Sequence, residues 1–249
     1  MKYIWIIIRS ILIFIIIGAL STACVKNTQK VILVEQFKSK GVYQEDISTD
    51  EVKFYLIESD EILPAYINYN GIILPGVEGD ILVSTQATLI NPLVSGFISF
   101  FAGGHAAIVT DKYSDSDIYL DNTTSIESTG LNEGENPTTI FDRYYWTVDD
   151  PFTEVIGLRV KMTEEERKEI ISLSSSIIGD PYNFSFLFDT VNKSYCSDLV
   201  SKVFNYIDKD LNKDDFTTSI YDLIVSNDTY ISYYHYFDNE GVKHIYYLG

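Results

Sequence analysis

Apolar and polar positions along the chain predict short strands in its first part and helices in its second part. Most of the strand-like runs are rich in β-branched residues, and polar or glycine-containing segments separate them. These runs cover residues 31–34, 52–57, 81–83, 105–109, 118–120, 125–128, 155–160 and 244–248. Strands followed by helices, rather than strands alternating with helices, are typical of an α+β domain.

Two helices are predicted in the second part of the chain. The first begins after Thr163, because Thr163 and Glu166 have the spacing of a capping box and apolar residues follow at helical spacing. Gly179 and the proline two residues later end this helix. The second begins near Cys196, and its apolar face is formed by Leu199, Val200, Val203, Phe204 and Ile207.

The N-terminus carries the pattern of an export signal. Lys2 and Arg9 precede an unbroken apolar run at residues 11–20, which by itself is too short to span a bilayer. Residues 20–24 resemble the signal of a bacterial lipoprotein, which implies cleavage before Cys24 and lipidation of its thiol. Ordinary signal cleavage and an uncleaved helical anchor are the alternatives. We expect an exported protein, anchored on the outer side of the cytoplasmic membrane or elsewhere in the cell envelope.

Length and composition allow one sizeable domain after this signal. The chain has 249 residues, of which 46% are hydrophobic and 22% are charged, so it can bury a substantial core. We predict a signal peptide or anchor at residues 1–23, a linker and N-terminal extension at residues 24–70, and the main domain at residues 71–249. The extension shows no group of residues that suggests chemistry.

Charge and metal-ligand content exclude some classes of function. The chain has 36 acidic and 18 basic residues, a net charge of −18, so nucleic acids would be repelled. Two cysteines and three histidines cannot form a four-thiolate zinc site or a disulfide framework, and we expect no metal and no cofactor. An acidic loop at residues 111–122 lacks the glycine and the glutamate of a calcium loop, so we interpret it as a solvated loop.

Three residues could together carry nucleophilic chemistry. Cys196 opens a predicted helix, where backbone N–H groups and the helix dipole favour a thiolate. His105 follows two glycines on an apolar strand and is the only histidine that we assign to a core element, so it could exchange a proton with the thiol. Glu127 lies on a later strand, where its carboxylate could share a face with His105 and orient the imidazole.

The order of the motifs resembles a known family. Five short motifs occur in sequence: Gly79-Asp80 opening a strand, Gly104-His105, Ile126-Glu127, residues 179–184 (GDPYNF) after a helix, and residues 195–199 (YCSDL). This order is similar to that of the circularly permuted papain-like amidases and peptidases of the YaeF/YiiX type, which are related to NlpC hydrolases. The histidine strand precedes the cysteine helix in that family. The resemblance covers about residues 72–225.

The resemblance implies both a fold and an activity. The fold would be a permuted papain-like α+β fold, with an antiparallel sheet or barrel packed against helices and the catalytic cysteine at a helix N-terminus. The activity would be hydrolysis of an amide or ester carbonyl through a thioester on Cys196, with His105 as general base and Glu127 as the orienting group. The oxyanion would be stabilised by the backbone N–H of Cys196, with the hydroxyl of Tyr195 or Tyr182 as a further donor.

Substrate and reaction class have open alternatives at this point. The partner would be a peptide, amide or acyl substrate, such as a cell-wall peptide or a lipid-linked acyl group. A non-catalytic surface-binding lipoprotein on the same scaffold is one alternative, and a thioester-forming acyltransferase is another. The apolar insertion at residues 84–102 is either a lid or acyl-binding wall, or a packed loop.

Overall fold

The structure is a computed structural model that describes eight stretches of the chain: residues 2–69, 71–86, 102–110, 124–129, 138–147, 152–186, 192–212 and 217–249. The strand predicted at residues 118–120 lies outside the described residues, as does almost all of the acidic loop and most of the apolar insertion.

Four helices and eleven strands are present in the described residues. The helices are α1 (Lys2–Lys38), α2 (Glu164–Ser176), α3 (Cys196–Asn205) and α4 (Ile220–Val225). The strands are β1 (Val42–Tyr43), β2 (Val52–Ile57), β3 (Tyr66–Tyr69), β4 (Ile72–Pro75), β5 (Ile81–Ser84), β6 (His105–Val109), β7 (Thr124–Ser128), β8 (Thr138–Asp142), β9 (Glu154–Val160), β10 (Thr229–Phe237) and β11 (Lys243–Leu248). Short 3-10 helices occupy Glu45–Ile47 and Arg143–Trp146.

Nine of these strands form one sheet, in the order β1-β2-β11-β10-β9-β5-β6-β7-β8, and β3 pairs with β4 in a separate hairpin. The neighbouring strands run antiparallel, except that β11 and β2 are parallel. The sheet therefore brings β5, β6 and β7 side by side, although long segments of chain separate them. The expected antiparallel sheet packed against helices is confirmed at this level.

Both faces of the central strands are buried, because side chains alternate between them. Residues such as Val83, Ala106 and Ile108 pack with the apolar side of α3 in the main core. Their neighbours on the other face, which include Leu82, Ala107 and Val109, form a smaller core with Trp146, Phe152 and Val155. A continuous apolar run at residues 105–109 is what a strand covered on both faces requires.

Most of the predicted elements are confirmed where the structure describes them. Strands are present at residues 52–57, 81–83, 105–109, 125–128, 155–160 and 244–248, and both hydrogen bonds of the Thr163–Glu166 capping box form at the start of α2. The β-prone interpretation of residues 31–34 is wrong, because these residues lie inside α1. There Val34 and Phe37 are buried against the main core, so tertiary packing outweighs local strand propensity.

A buried ion pair explains the Gly79-Asp80 motif at the start of β5. The Arg159 guanidinium donates to both Asp80 carboxylate oxygens, with Nε–Oδ1 and Nη2–Oδ2 distances of 2.9 and 2.7 Å, and neither side chain is exposed by more than 1%. Arg159 also donates to the carbonyls of Leu63 and Pro64, and Asp80 accepts the N–H of Val77. The motif therefore fixes the turn that leads into β5 against β9.

Among the helices of the described residues, none combines the length and the apolar character needed to cross a membrane.

Candidate active site

Cys196 is the first residue of α3, and its side chain is buried. The backbone of Tyr195 is extended at the N-cap, and the Tyr195 side chain makes no capping hydrogen bond, so the first turn keeps N–H groups for other acceptors. The Cys196 thiol donates to the carbonyl oxygen of Gly104 at 3.5 Å. The predicted position of this cysteine at a helix N-terminus is therefore observed, next to the strand that carries His105.

Two glycines allow β6 to enter the sheet at this point. Gly103 and Gly104 have φ angles of +75° and +149°, which other residues rarely adopt. A Cβ on Gly104 would lie 2.0 Å from the carbonyl oxygen of Ser84, which no packing adjustment could relieve. The absence of a side chain thus lets the backbone pass β5 and places His105 opposite Ser84 in the register.

His105 and Glu127 form a buried pair, with 2.6 Å between Nε2 and Oε2. Ile108 pairs with Ile126 across β6 and β7, so Glu127 lies opposite Ala107 and diagonal to His105 on the same face. The Cys196 side chain lies close enough to the His105 ring to raise the pKa of that imidazole. Because Nε2 is held by Glu127, Nδ1 is the ring nitrogen that remains for the thiol.

The second carboxylate oxygen of Glu127 has two donors of its own. Oε1 accepts hydrogen bonds from Ser125 Oγ and Trp146 Nε1, each at 2.7 Å. The Trp146 indole also stacks on His105, with ring centroids 5.5 Å apart and 13° between the planes, and Phe152 lies 4.5 Å from Trp146. One tryptophan therefore contacts both members of the pair.

The 3-10 helix that carries Trp146 is anchored to the same turn that starts β5. Arg143, which is fully buried, donates to the carbonyls of Pro75 and Gly76 at 3.0 and 2.8 Å. This fixes the position of Trp146 relative to β5 and β6.

Electrostatics keep this pair charged. Burial by itself would lower the pKa of His105, but the Glu127 carboxylate and the hydrogen bond with Cys196 outweigh it, and the pKa of His105 is raised. Burial by itself would raise the pKa of Glu127, but His105 and the donors Trp146 and Ser125 outweigh it, and the pKa of Glu127 is lowered. The arrangement thus favours imidazolium beside carboxylate.

The two tyrosines considered as oxyanion donors differ in their hydrogen bonding. The Tyr195 hydroxyl hydrogen bonds with Thr218. The Tyr182 hydroxyl has no hydrogen-bond partner in the part of the chain that the structure describes, although the residue is only 6% exposed. Burial raises the pKa of Tyr182, and the nearby Cys196 raises it further, so this phenol stays protonated and can donate.

Backbone pairing holds Tyr182 beside the nucleophile helix. Tyr182 and Ser194 form a parallel bridge, and the Asn183 N–H donates to the Ser194 carbonyl at 3.2 Å. Ser194 lies two residues before Cys196. The GDPYNF segment is therefore fixed to the chain that leads into α3.

A family comparison agrees with this arrangement. The model of the permuted papain-like amidases, YaeF/YiiX type, C92 family, matches residues 77–229, which is more than half of the chain. The chain belongs to this family. The matched region contains Cys196, His105 and Glu127, and membership indicates a hydrolase of papain-like type.

Among solved structures, the chain is similar to the crystal structure of the metalloprotein YiiX from Escherichia coli O157:H7. It is 18% identical, the match covers 52% of the present chain and 65% of that chain, and the TM-score is 0.38. No curated protein matches the present chain.

Sequence reasoning missed part of this permuted papain-like site. Trp146, Ser125 and Phe152 complete the surroundings of His105 and Glu127, and only the position of Ser125, two residues before Glu127 on the same strand face, could have been found from the sequence. The interpretation of His105 as the one core histidine is wrong. His235 on β10 is also fully buried, where its Nδ1 is 3.0 Å from the hydroxyl of Tyr233.

The described residues contain no cluster of three or more histidine, cysteine or acidic side chains that could hold a metal ion. Cys24 is exposed on α1 and has no disulfide partner, since both cysteines are free.

Proposed function

We propose that this protein is a cysteine hydrolase that cleaves an amide or ester carbonyl through a thioester on Cys196. The observation that carries the proposal is the connected series Cys196–His105–Glu127, in which each side chain contacts the next inside a buried site. A nucleophile, a base in contact with it and a group that orients the base are the requirements for thiol catalysis. Family membership supports the same reaction class.

The first half-reaction forms the thioester. The His105 imidazolium holds the thiol proton at Nδ1, and the Cys196 thiolate attacks the carbonyl carbon, whose oxygen becomes an oxyanion. The backbone N–H of Cys196 and the hydroxyl of Tyr182 would donate to that oxyanion. When the intermediate collapses, the bond to the leaving amine or alcohol breaks and His105 returns the proton to the departing atom.

The second half-reaction releases the product. His105, now neutral, takes a proton from water, and the hydroxide adds to the thioester carbonyl. The carbon–sulfur bond then breaks, the carboxylic acid leaves, and the thiol regains its proton. Throughout, Glu127 stays ionised, fixes the orientation of the imidazole through Nε2 and stabilises the imidazolium that forms in each half-reaction.

We place this hydrolase outside the cytoplasm, attached to the membrane by lipid on Cys24. The support is the apolar run at residues 11–20 between basic residues and a small-residue stretch, and the exposure of Cys24 on α1. The end of the signal at residue 23 belongs to this proposal, as does an N-terminal extension at residues 24–70 that packs on the main domain. The substrates would be cell-wall peptides or lipid-linked acyl groups.

Turnover by the single variants Cys196→Ala and His105→Ala tests the nucleophile and the base. Hydrolysis of p-nitrophenyl acetate should fall to the level without enzyme in Cys196→Ala, and by about a thousandfold in His105→Ala. Circular dichroism and denaturation should show that both variants remain folded. Tyr206→Phe, at an exposed position just beyond α3, is the matched control.

Full activity in folded Cys196→Ala would refute the nucleophile assignment. Wild type without turnover of any ester or amide would instead favour the surface-binding lipoprotein. Adding a primary amine as acceptor separates transfer from hydrolysis, because an acyltransferase would release acyl amide in place of free acid.

A further inference from the structure

The segment of α1 that follows Cys24 is part of the folded domain. Lys30 donates to both carboxylate oxygens of Glu154 at 2.7 Å, and Lys26 forms an ion pair with Asp222. Val34 and Phe37, further along the helix, are buried in the main core. The helix is therefore held to the domain from Lys26 onward, with no flexible linker between Cys24 and the fold.

The first attachment point is linked to the chain that leads into His105. Asp222 belongs to the first turn of α4, which begins at Ile220. The Ile220 N–H donates to the carbonyl of Ala102 at 2.8 Å, and the Gly103-Gly104 pair that leads into His105 follows directly. Through Asp222, Lys26 is thus attached to the chain that carries the candidate base.

The second attachment point also lies near the site. Glu154 accepts a hydrogen bond from the hydroxyl of Thr85 at 3.2 Å and one from Tyr234 at 3.0 Å. Thr85 follows Ser84, the residue paired with His105 across β5 and β6. Both ion pairs of α1 therefore lead to the edge of the same site.

These contacts limit how far the site can be from the start of the mature chain. Cys24 precedes Lys26 by two residues, about 3 Å of helix. The contacts from Lys26 through Asp222, Ile220 and Ala102 to His105 add short steps, so Cys24 and His105 are at most about 35 Å apart.

The outer side of α1 exposes two apolar side chains among polar ones. Val25 and Ile32, seven residues apart and so on one side of the helix, are 57% and 49% exposed. The net charge of −18 gives no attraction to anionic headgroups, so apolar contact and a lipid chain would have to hold the domain at the bilayer.

We propose that α1 holds the Cys196–His105 site at the bilayer surface in a fixed orientation, and that the substrate is a carbonyl compound with an apolar chain embedded in that bilayer. This inference rests on the proposed hydrolase activity and on the lipid anchor at Cys24. It selects acyl lipids over soluble cell-wall peptides, because a short and rigid attachment to the lipid anchor presents the site to embedded chains.

Inserting a flexible segment after Cys24 tests this proposal with the full chain. The variant carries twenty Gly/Ser residues between Cys24 and Val25, so the lipid anchor remains while the fixed orientation is lost. The control carries the same insertion at Gly241 in the β10–β11 turn, where φ is +80° and an added Cβ would meet no atom within 4 Å. Each protein is reconstituted in phosphatidylcholine vesicles containing p-nitrophenyl palmitate, and soluble p-nitrophenyl acetate is the second substrate.

Both esters release nitrophenolate when Cys196 is acylated, and water then frees the carboxylic acid. The proposal expects the Cys24 insertion to lower turnover of the embedded palmitate ester at least tenfold and to leave turnover of the acetate ester unchanged. The Gly241 insertion should change neither. Lys26→Ala combined with Lys30→Ala should lower embedded turnover in the same direction but by less, because it removes both ion pairs while Val34 and Phe37 still hold α1 in the core.

Three results would overturn the proposal while leaving the hydrolase assignment intact. In the first, wild type cleaves the acetate ester but not the embedded palmitate ester. In the second, the embedded ester is cleaved equally fast with and without the Cys24 insertion. In the third, the wild-type protein is recovered in the soluble fraction. If wild type cleaves neither ester, the proposed function fails, and this inference fails with it.

Discussion

The two halves of the candidate site are built differently. On the sheet side, His105 and Glu127 lie on adjacent strands, and each atom of the pair that needs a partner has one, including both carboxylate oxygens. On the helix side, the polar partners of the Cys196 thiol among the described residues are the Gly104 carbonyl and His105. The Tyr182 hydroxyl has no partner within the same residues. The sheet side is preorganised, whereas the helix side leaves groups for a substrate to engage.

Among variants that keep the nucleophile and the base, the largest effect should come from removing the charge on the sheet side. Glu127→Gln keeps an oxygen for Trp146 and Ser125 but no longer stabilises imidazolium, so kcat should fall by about a hundredfold to ten-thousandfold. Steady-state kinetics with a soluble ester measure this. The matched variant Glu164→Gln, on exposed α2, should have no effect. A loss below tenfold would mean that the third residue of the site is not Glu127.

The same variant has a pH-dependent effect on stability whose sign follows from the pKa shifts. The lowered pKa of Glu127 contributes stability above its ordinary value of 4.5, which is lost as pH falls through the lowered value. The raised pKa of His105 contributes stability below its ordinary value of 6.5, which is lost as pH rises through the raised value. The difference in unfolding free energy between wild type and Glu127→Gln should therefore be greatest between pH 4.5 and 6.5.

Chemical denaturation at several pH values measures this difference. A difference that grows steadily toward pH 9 would contradict the charged pair.

On the helix side, the two tyrosines provide a matched comparison. Tyr182→Phe removes the unpaired hydroxyl and should lower kcat about tenfold to a hundredfold with little change in KM, because an oxyanion donor acts in the transition state. Tyr195→Phe removes a hydroxyl already bonded to Thr218, so turnover should change less than about threefold while stability falls by about 1 kcal/mol. The reverse order of effects on kcat would make Tyr195 the donor.

Replacing the indole that joins the two members of the pair should have a smaller effect. Trp146→Phe keeps a ring against His105 but loses the donor to Glu127 Oε1, while Ser125 remains. We expect kcat to fall about tenfold, and the acid limb of the pH–rate profile to move to higher pH because the carboxylate loses a stabilising hydrogen bond. An unchanged acid limb would show that Trp146 acts only through packing.

Much of the candidate site could be predicted because its residues lie on regular elements. Alternation along strands places His105 and Glu127 on one face, and the helix that starts at Cys196 is visible from its apolar spacing. Trp146 could not be predicted, because it reaches the pair from a 3-10 helix whose position depends on Arg143 and a distant turn. Such a contact has no local pattern in the sequence.

The structure of the N-terminal segment, in contrast, could not be predicted from the sequence. Residues 31–34 have strand propensity, yet they are helical because α1 buries Val34 and Phe37 against the sheet and fixes Lys26 and Lys30 by ion pairs. These partners are far away in the chain, so the extension at residues 24–70 could not be connected to the site from the sequence.

Gly104 suggests how an active copy of this fold can be told from an inactive one. Its missing side chain lets β6 pass Ser84, and its carbonyl oxygen accepts a hydrogen bond from the Cys196 thiol. One backbone position therefore both allows the strand pairing and contacts the nucleophile. A related protein with any larger residue there would have to move β6 away from β5, and its histidine away from its cysteine. We therefore expect position 104 to diagnose lost activity even in a chain that keeps all three of Cys196, His105 and Glu127.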